Sequence, residues 1–358
     1  MTLLWMNLAF VFVFAYFSRY FAVPLLESGS LHSVRPNKLL IFASLATLVV
    51  ISGLRSNIGD TFTYMNIYKE NAFTWEYVQD HKDIGFGILQ MLLKNYISED
   101  PQIMIFTTAL ITNLLIIIVL YNYSRMIEIS LYVYITGGLF LVSMNGIRQV
   151  LAAAITFAAT KYLINGNWKR YYLIIIFASF FHQSALILLP MYFIVRFKAW
   201  SKATFALIIF AVIVVIGYEQ FSALLFKAID DTQYSGYIDF AEGGANSLRV
   251  AVEATPLLIA YLGRNKLKKL FPEGDIIVNM TLLGFVFMVI ATQEWIFARM
   301  SIYFQLYGLI LVSWLPKLFR KKDQKLIYFA IIVCYFAYYY YENVISLNIL
   351  YKSDYLIW

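Results

Sequence analysis

The chain has 358 residues, of which 61% are hydrophobic and 14% are charged, with a mean hydropathy of +0.70. Soluble domains are about 45–50% apolar and about 25% charged, so this composition excludes an ordinary soluble protein. The net charge of +7 does not indicate nucleic-acid binding, because the basic residues fall between apolar segments rather than in one patch.

Apolar runs long enough to cross a bilayer of about 30 Å recur along the chain, and such runs predict helices rather than membrane strands. The first run, Leu3 to Phe17, lacks a basic n-region and a small-residue cleavage site, so we expect it to remain as a membrane helix. The sequence predicts an all-α polytopic integral membrane protein with about 11–12 transmembrane or re-entrant helices in a single transmembrane domain, 1–358. The predicted spans are 2–17, 39–54, 101–121, 129–145, 147–165, 168–197, 203–218, 248–263, 275–293, 297–316 and 325–341.

Basic loops between these spans predict the orientation of the chain, because Lys and Arg accumulate in cytoplasmic loops. The loops assigned to the cytoplasm carry Arg19, Arg35 and Lys38; Arg125; Lys169 and Arg170; Arg264, Lys266, Lys268 and Lys269; and Lys317, Arg320, Lys321, Lys322 and Lys325. This orientation places both termini outside and leaves two larger extracytoplasmic segments, about 55–100 and 219–247. We find no internal repeat, so an inverted-repeat transporter gains no support.

The apolar segment 168–197 is too long for a simple span, at about 1.5 Å per helical residue. If it crosses once, the later basic loops move outside. If it turns back near His182, those loops stay in the cytoplasm, as the positive-inside rule requires. We therefore predict a turn at His182, where the exposed backbone would line a polar cavity.

Arginines on the predicted outer side need an explanation, because the positive-inside rule disfavours them there. They are Arg55, Arg148, Arg249 and Arg299. Arginine binds phosphate oxygens bidentately, so a cluster would suit a lipid-linked diphosphate. The alternative is separate ion pairs: Arg249 with Glu253 one helical turn away, and Arg299 with nearby Glu294.

The loop that starts at Gly53 carries Arg55, Asp60 and Tyr64, a combination able to bind a sugar phosphate. Asp60 could accept a proton from an attacking hydroxyl. The alternative is a solvated loop with an Asx-type turn.

His182 lies in an apolar segment two residues before Ser184. It is either a hydrogen-bonded structural group or a general base at the predicted turn. Glu253, inside a later apolar run, either pairs with Arg249 or is a second base. No metal-binding histidine motif emerges, and the single cysteine, Cys334, excludes an internal disulfide.

Three short motifs carry a family resemblance. These are G-L-R at 53–55 followed by Asp60 and Tyr64, G-I-R-Q at 146–149, and F-H-Q-S-A-L at 181–186 ahead of Pro190. In this order, with the late outer Arg299, the chain resembles the EpsG family of bacterial membrane proteins, which is related in role to Wzy-type polysaccharide polymerases. The segment NVISLNILYKSDYLIW departs from the Pro-Tyr ending of many members.

The resemblance implies a glycosyltransferase in the bacterial cytoplasmic membrane that joins oligosaccharide repeat units carried on undecaprenyl diphosphate at the outer face. Arg55, Arg148 and Arg299 would stabilise the leaving diphosphate, and Asp60 or His182 would be the base. Residues assigned to substrate binding are Tyr64, Gln149, Ser184, Arg249, Glu253 and Glu294. We expect no cofactor and no metal. Expected partners are the lipid-linked glycans and the bilayer, with a chain-length regulator and a flippase as further candidates.

Three other functions remain open from the sequence. A flippase for the same lipid-linked sugars would also use outer arginines, but should carry matching binding charges on the cytoplasmic half. An O-antigen ligase or an acyltransferase would act at the same face. A scaffold of a polysaccharide export complex would make the outer polar groups incidental.

Overall fold

The computed structural model describes residues 1–24, 34–222 and 244–356. Within these residues the chain is helical, apart from connections and one antiparallel ladder of two-residue strands, β1 Val23–Pro24 and β2 Val34–Arg35. The predicted class, an all-α polytopic membrane protein, is confirmed.

The described helices coincide with several predicted spans, and two helices divide each of the predicted spans 129–145 and 147–165. They are α1 Thr2–Tyr20, α2 Lys38–Gly53, α3 Thr61–Glu70, α4 Trp75–Gln79, α5 Ile84–Tyr96, α6 Gln102–Tyr123, α7 Ile127–Thr136, α8 Leu139–Asn145, α9 Ile147–Ala158, α10 Thr160–Ile164, α11 Trp168–Ser179, α12 Leu188–Ile194, α13 Lys202–Ile216, α14 Ser247–Leu262, α15 Arg264–Leu270, α16 Gly274–Ile290, α17 Ile296–Leu318 and α18 Gln324–Tyr339. A 3-10 turn, Gln183–Ile187, precedes α12, and a π-helical turn, Tyr340–Ser346, follows α18.

Three of the described helices, α1, α6 and α17, are long and apolar enough to cross a membrane unaided. The pair α7 and α8 passes the same test together and is bent by 54°. Gly138 lies at the bend with a φ of +90°, a conformation that glycine adopts without a steric cost. The predicted total of 11–12 membrane helices stays a prediction.

The described chain forms two compact units: a first unit of 1–190 with 312–358, and a second unit of 191–311. The sequence-based expectation of a single transmembrane domain remains a prediction. Of the two predicted extracytoplasmic segments, 55–100 is described throughout. The second, 219–247, lies largely outside the described residues, as do its acidic side chains Asp230, Asp231, Asp239 and Glu242.

In the first unit α1 packs against α2 and α7, and α6 packs against α2 and α9. Helices α2 and α6 run in opposite directions. Gly53, at the end of α2, lies so close to Phe106 that a Cβ there would be 2.7 Å from that ring. At the other end, the Tyr121 hydroxyl donates to the carbonyl of Pro36 at 3.2 Å. The unit therefore has two ends separated by the length of these helices.

The predicted turn in segment 168–197 is present. Helix α11 ends at Ser179, and the 3-10 turn and α12 then run back beside it. The Tyr172 hydroxyl donates to the carbonyl of Leu189 at 2.9 Å, a contact that a continuous helix of this length could not make. The chain therefore reverses at His182.

In the second unit α16 packs against α13 and α14. The Asn279 amide donates to the carbonyls of Val195 and Phe197, at 3.0 and 2.6 Å. The backbone N–H of Ala245 donates to the carbonyl of Ala291 at 2.6 Å. This bond holds the start of α14 next to the connection that leads into α17.

Candidate functional site

Arg55 follows the end of α2 and is 1% exposed. Its guanidinium donates to Thr61 Oγ1 at 2.9 Å, to the Met144 carbonyl at 2.7 Å and to the Ser52 carbonyl. Burial lowers the pKa of Arg55 to about 9, so the side chain remains cationic at neutral pH. These bonds join the ends of α2 and α8 and favour a role in shaping the loop.

The next turn places Asp60 beside the start of α9. Ile58 has a φ of +79° and Gly59 a φ of +52°, which is a strained conformation for a β-branched residue such as Ile58. A Cβ at Gly59 would collide with the side chain of Asn145. Asn145 Oδ1 accepts a hydrogen bond from the backbone N–H of Asp60 at 3.0 Å. Asp60 itself is exposed, so its carboxylate is open to a ligand.

Residues 350–355 form hydrogen bonds to this loop and to the end of α2. The Ser56 N–H donates to the Lys352 carbonyl at 2.9 Å, and the Lys352 N–H donates to Asn57 Oδ1 at 2.6 Å. The Tyr351 hydroxyl donates to the carbonyl of Ile51 at 2.8 Å. Residues 350–355 thus support the loop that carries Asp60.

Arg148, in the first turn of α9, pairs with Asp83, a residue that the sequence did not single out. Arg148 Nη1 lies 2.6 Å from Asp83 Oδ2, and its Nε donates to the Tyr64 hydroxyl at 3.3 Å. The Arg148 side chain is 42% exposed and that of Asp83 is 6% exposed. Burial raises the pKa of Asp83, while Arg148 and the backbone N–H of Gln183 act in the opposite direction. The guanidinium is thus bonded to Asp83 and Tyr64 in a side chain that remains partly exposed.

His182 lies at the chain reversal, where Ser184 orients its ring. His182 Nδ1 is 2.6 Å from Ser184 Oγ, and Gln149 Nε2 donates to the same oxygen at 3.5 Å. When Ser184 accepts from Nδ1–H, Nε2 is the basic ring nitrogen. The backbone N–H of Gly85 donates to the Phe180 carbonyl at 2.7 Å, which ties this turn to the segment that carries Asp83.

Four segments distant in sequence therefore converge in the first unit: 60–64, 83–85, 145–149 and 180–184. Together they provide a half-exposed guanidinium, an exposed carboxylate and an imidazole. This set can bind an anion and accept a proton. Among the residues that the structure describes, no three His, Cys, Asp or Glu side chains come together in a way that could hold a metal ion.

The remaining predicted residues lie in the second unit. Glu253 Oε1 accepts a hydrogen bond from Gln305 Nε2, which links α14 to α17. Arg249 lies one turn before Glu253 at the start of α14, and Arg299 lies at the start of α17 with its guanidinium 4.6 Å from the centre of the Trp295 ring. The Glu294 carboxylate interacts electrostatically with the Tyr218 hydroxyl, so these two side chains are neighbours. Arg249, Glu294 and Arg299 thus lie at or just before the start of α14 or α17.

A family model matches residues 38–353, a range that includes all four converging segments. The chain belongs to the EpsG family. EpsG family members are Wzy-type polysaccharide polymerases, which supports a general role for this membrane protein in polysaccharide polymerisation. No curated protein and no solved structure matches the chain.

Proposed function

We propose that this EpsG family protein is a glycosyltransferase that joins oligosaccharide repeat units carried on undecaprenyl diphosphate. It would act at the outer face of the bacterial cytoplasmic membrane and build an O-antigen, a capsule or an exopolysaccharide. The observation that carries the proposal is the Arg148–Asp83 pair, which lies beside His182 and the exposed Asp60. Such a site can hold a diphosphate and take a proton from a sugar hydroxyl.

The proposed reaction has one bond made and one broken at the anomeric carbon of the donor glycan. The acceptor hydroxyl oxygen attacks this carbon, and the bond from carbon to the diphosphate oxygen breaks. The electron pair leaves with the lipid diphosphate, which gains negative charge. The exposed part of the Arg148 guanidinium would stabilise that charge, the electrostatic principle used at transferring phosphoryl groups.

The proton of the acceptor hydroxyl needs a base. His182 suits this role because Ser184, which also accepts a hydrogen bond from Gln149, holds the ring at Nδ1, and Nε2 would then accept the proton. Asp60 is the second candidate, because it is exposed and its backbone is fixed by Asn145. Variants of His182 and Asp60 should therefore lower the elongation rate to different extents, depending on which residue is the base.

Other residues would position these groups. Asp83 holds one side of Arg148 and Tyr64 supports the same guanidinium, while Arg55 shapes the loop through backbone carbonyls. The predicted roles of Arg249, Arg299, Glu253 and Glu294 in binding phosphate or sugar stay predictions. So do a chain-length regulator and a flippase as partners.

The test is a gel of lipid-linked and surface glycans from cells that lack the gene, complemented with the wild type, Arg148→Ala or Arg170→Ala. Arg170 is the matched control, because its guanidinium lies 5.6 Å from the Tyr162 ring, as that of Arg148 lies 5.7 Å from Tyr64. We expect deletion and Arg148→Ala to remove the long ladder while one repeat unit still reaches the surface, and Arg170→Ala to restore the ladder.

Two results would contradict this proposal. Loss of even the single surface repeat after deletion would indicate a flippase or a ligase. A full ladder from Arg148→Ala at normal protein level would remove this arginine from the reaction.

A further inference from the structure

A second charged site lies at the other end of the first unit. It is a cavity of about 290 Å³ between the last turns of α1, the α6–α7 connection and the last turn of α17. Its lining residues are Tyr16, Arg19, Tyr20, Val34, Arg125 and Lys317. Helix α6 has 22 residues, so at about 1.5 Å per residue the cavity is about 30 Å from the Arg148 site.

The cavity is strongly cationic. Of the described residues that line it, three are basic and none is acidic. Glu128, which is fully buried behind the lining, pairs with Arg19 at 2.7 Å. Among the described residues of the cavity and its wall, the basic side chains therefore outnumber the acidic one by two. Burial and the nearby Arg19 lower the pKa of Arg125, so these guanidinium groups are close enough to repel each other.

An apolar track leads to this cavity along the outer surface of α1. Phe10, Val13, Phe17 and Tyr20 are each at least 43% exposed. Their spacing of three and four residues places them on one face of the helix. Tyr20, at the end of the track, is also part of the cavity lining. A molecule with an acyl chain on the track would therefore have its polar end among the basic side chains.

We propose that this cavity binds the phosphate-bearing headgroup of an anionic membrane lipid, with an acyl chain along α1. Arginine and lysine at the end of membrane helices bind such headgroups, and tyrosine is favoured at the same depth. The basic loops predict that this end faces the cytoplasm. The site is independent of the proposed transferase reaction, because it lies at the opposite end of the unit.

The experiment uses the purified full-length chain in a neutral detergent and follows its thermal unfolding. The probes are phosphatidylglycerol, phosphatidylcholine and inorganic phosphate, each titrated separately. A lipid that binds only the folded protein raises the unfolding temperature as its concentration increases. We expect phosphatidylglycerol to do so at concentrations where the other two have no effect.

Two double variants test the site directly. Arg125→Gln with Lys317→Gln removes two charges from the lining, and Lys321→Gln with Lys322→Gln removes two exposed charges just beyond α17. We expect the first to weaken phosphatidylglycerol binding about thirtyfold, since each basic residue near an anionic lipid contributes about a factor of five, and the second to leave it unchanged. Equal affinity in both variants would overturn the proposal.

Further measurements keep the test decisive. If the double variant does not fold, Lys317→Gln alone should weaken binding about fivefold. Glu128→Gln should tighten binding, because it removes the carboxylate that competes for Arg19. An equal response to inorganic phosphate would mean that a free anion, not a lipid, occupies the cavity, and would overturn the lipid assignment.

Discussion

Two arginine–carboxylate pairs lie at opposite ends of the first unit, and their geometry is nearly the same. Arg148 and Asp83 are 2.6 Å apart, and Arg19 and Glu128 are 2.7 Å apart. In both pairs the carboxylate is buried and the arginine is partly exposed, at 42% and 29%. The pairs alone do not distinguish the two ends.

The neighbours of each pair make the difference. Around Arg148 lie a tyrosine hydroxyl, an imidazole oriented by a serine, and an exposed carboxylate in an adjacent loop. Around Arg19 lie further cations and tyrosines. Groups able to move a proton suit the proposed reaction site, whereas accumulated positive charge suits the proposed lipid-binding site. An arginine in a membrane protein therefore has to be interpreted through its neighbours.

The largest expected effect separates the two candidate bases at the Arg148 end. If His182 is the base, His182→Ala should lower the rate of chain elongation by about 10²–10⁴-fold, the usual contribution of a general base. Asp60→Asn should then have a smaller effect. His81→Ala is the matched control, since His81 is an exposed histidine in the segment 55–100 that also carries Asp60. The rate is measured with lipid-linked repeat units in proteoliposomes, and a reversed order of the two variants would make Asp60 the base.

The next effect compares the two pairs directly. Asp83→Asn should lower elongation by about 10²-fold, because Arg148 loses the group that orients it and displacements of about 1 Å have costs of that order. Glu128→Gln makes the same chemical change at the other end and should leave the rate per folded protein unchanged. Equal losses from both variants would show that the pairs act only through stability.

A smaller effect concerns the loop that carries Asp60. Gly59→Ala should destabilise the loop by about 1–3 kcal/mol, because the residue has a positive φ and the new methyl group meets Asn145. Elongation should fall while binding of anionic lipid at the far cavity stays at the wild-type level. Gly217→Ala is a control at a glycine with negative φ and contacts no closer than 3.4 Å. If Gly59→Ala has a lower unfolding temperature than Gly217→Ala but the same elongation rate, the loop that carries Asp60 does not contribute to the reaction.

The smallest effect is a dependence of stability on pH. Burial raises the pKa of Asp83 in the folded protein above its ordinary value of 3.8, so the folded state holds this proton more tightly than the unfolded state. As the pH falls through the raised pKa, wild type should therefore gain stability relative to Asp83→Asn. Thermal unfolding of both proteins between pH 7 and 4 measures the difference. If the difference in unfolding temperature between the two proteins stays constant from pH 7 to 4, the pKa of Asp83 is not raised.

Much of the fold could be predicted because the relevant signals are local. The span predicted over 39–54 is α2, Lys38–Gly53, and the span predicted over 101–121 is α6, Gln102–Tyr123. Apolar run length and flanking charge determine both. The reversal at His182 followed from the charge of the later loops, not from the segment itself.

The partners of the site could not be predicted, because they are set by tertiary structure. Asp83 lies 65 positions before Arg148, and nothing in its local sequence marks it as the partner of that arginine. Arg55 and Arg148 both follow an apolar helix at the same predicted face. Arg55 is buried and bonds to backbone carbonyls, whereas the Arg148 side chain is partly exposed. Only tertiary packing produces this difference.

The contacts of residues 350–355 set an order of events during synthesis. The Asn57 side chain and the Ser56 amide bond to Lys352, which the ribosome adds almost 300 residues later. Until that stretch is made and inserted, the loop of Asp60 lacks its outer support. Nascent and prematurely stopped chains would therefore occupy the membrane with this loop unsupported, and should lack the proposed transferase activity.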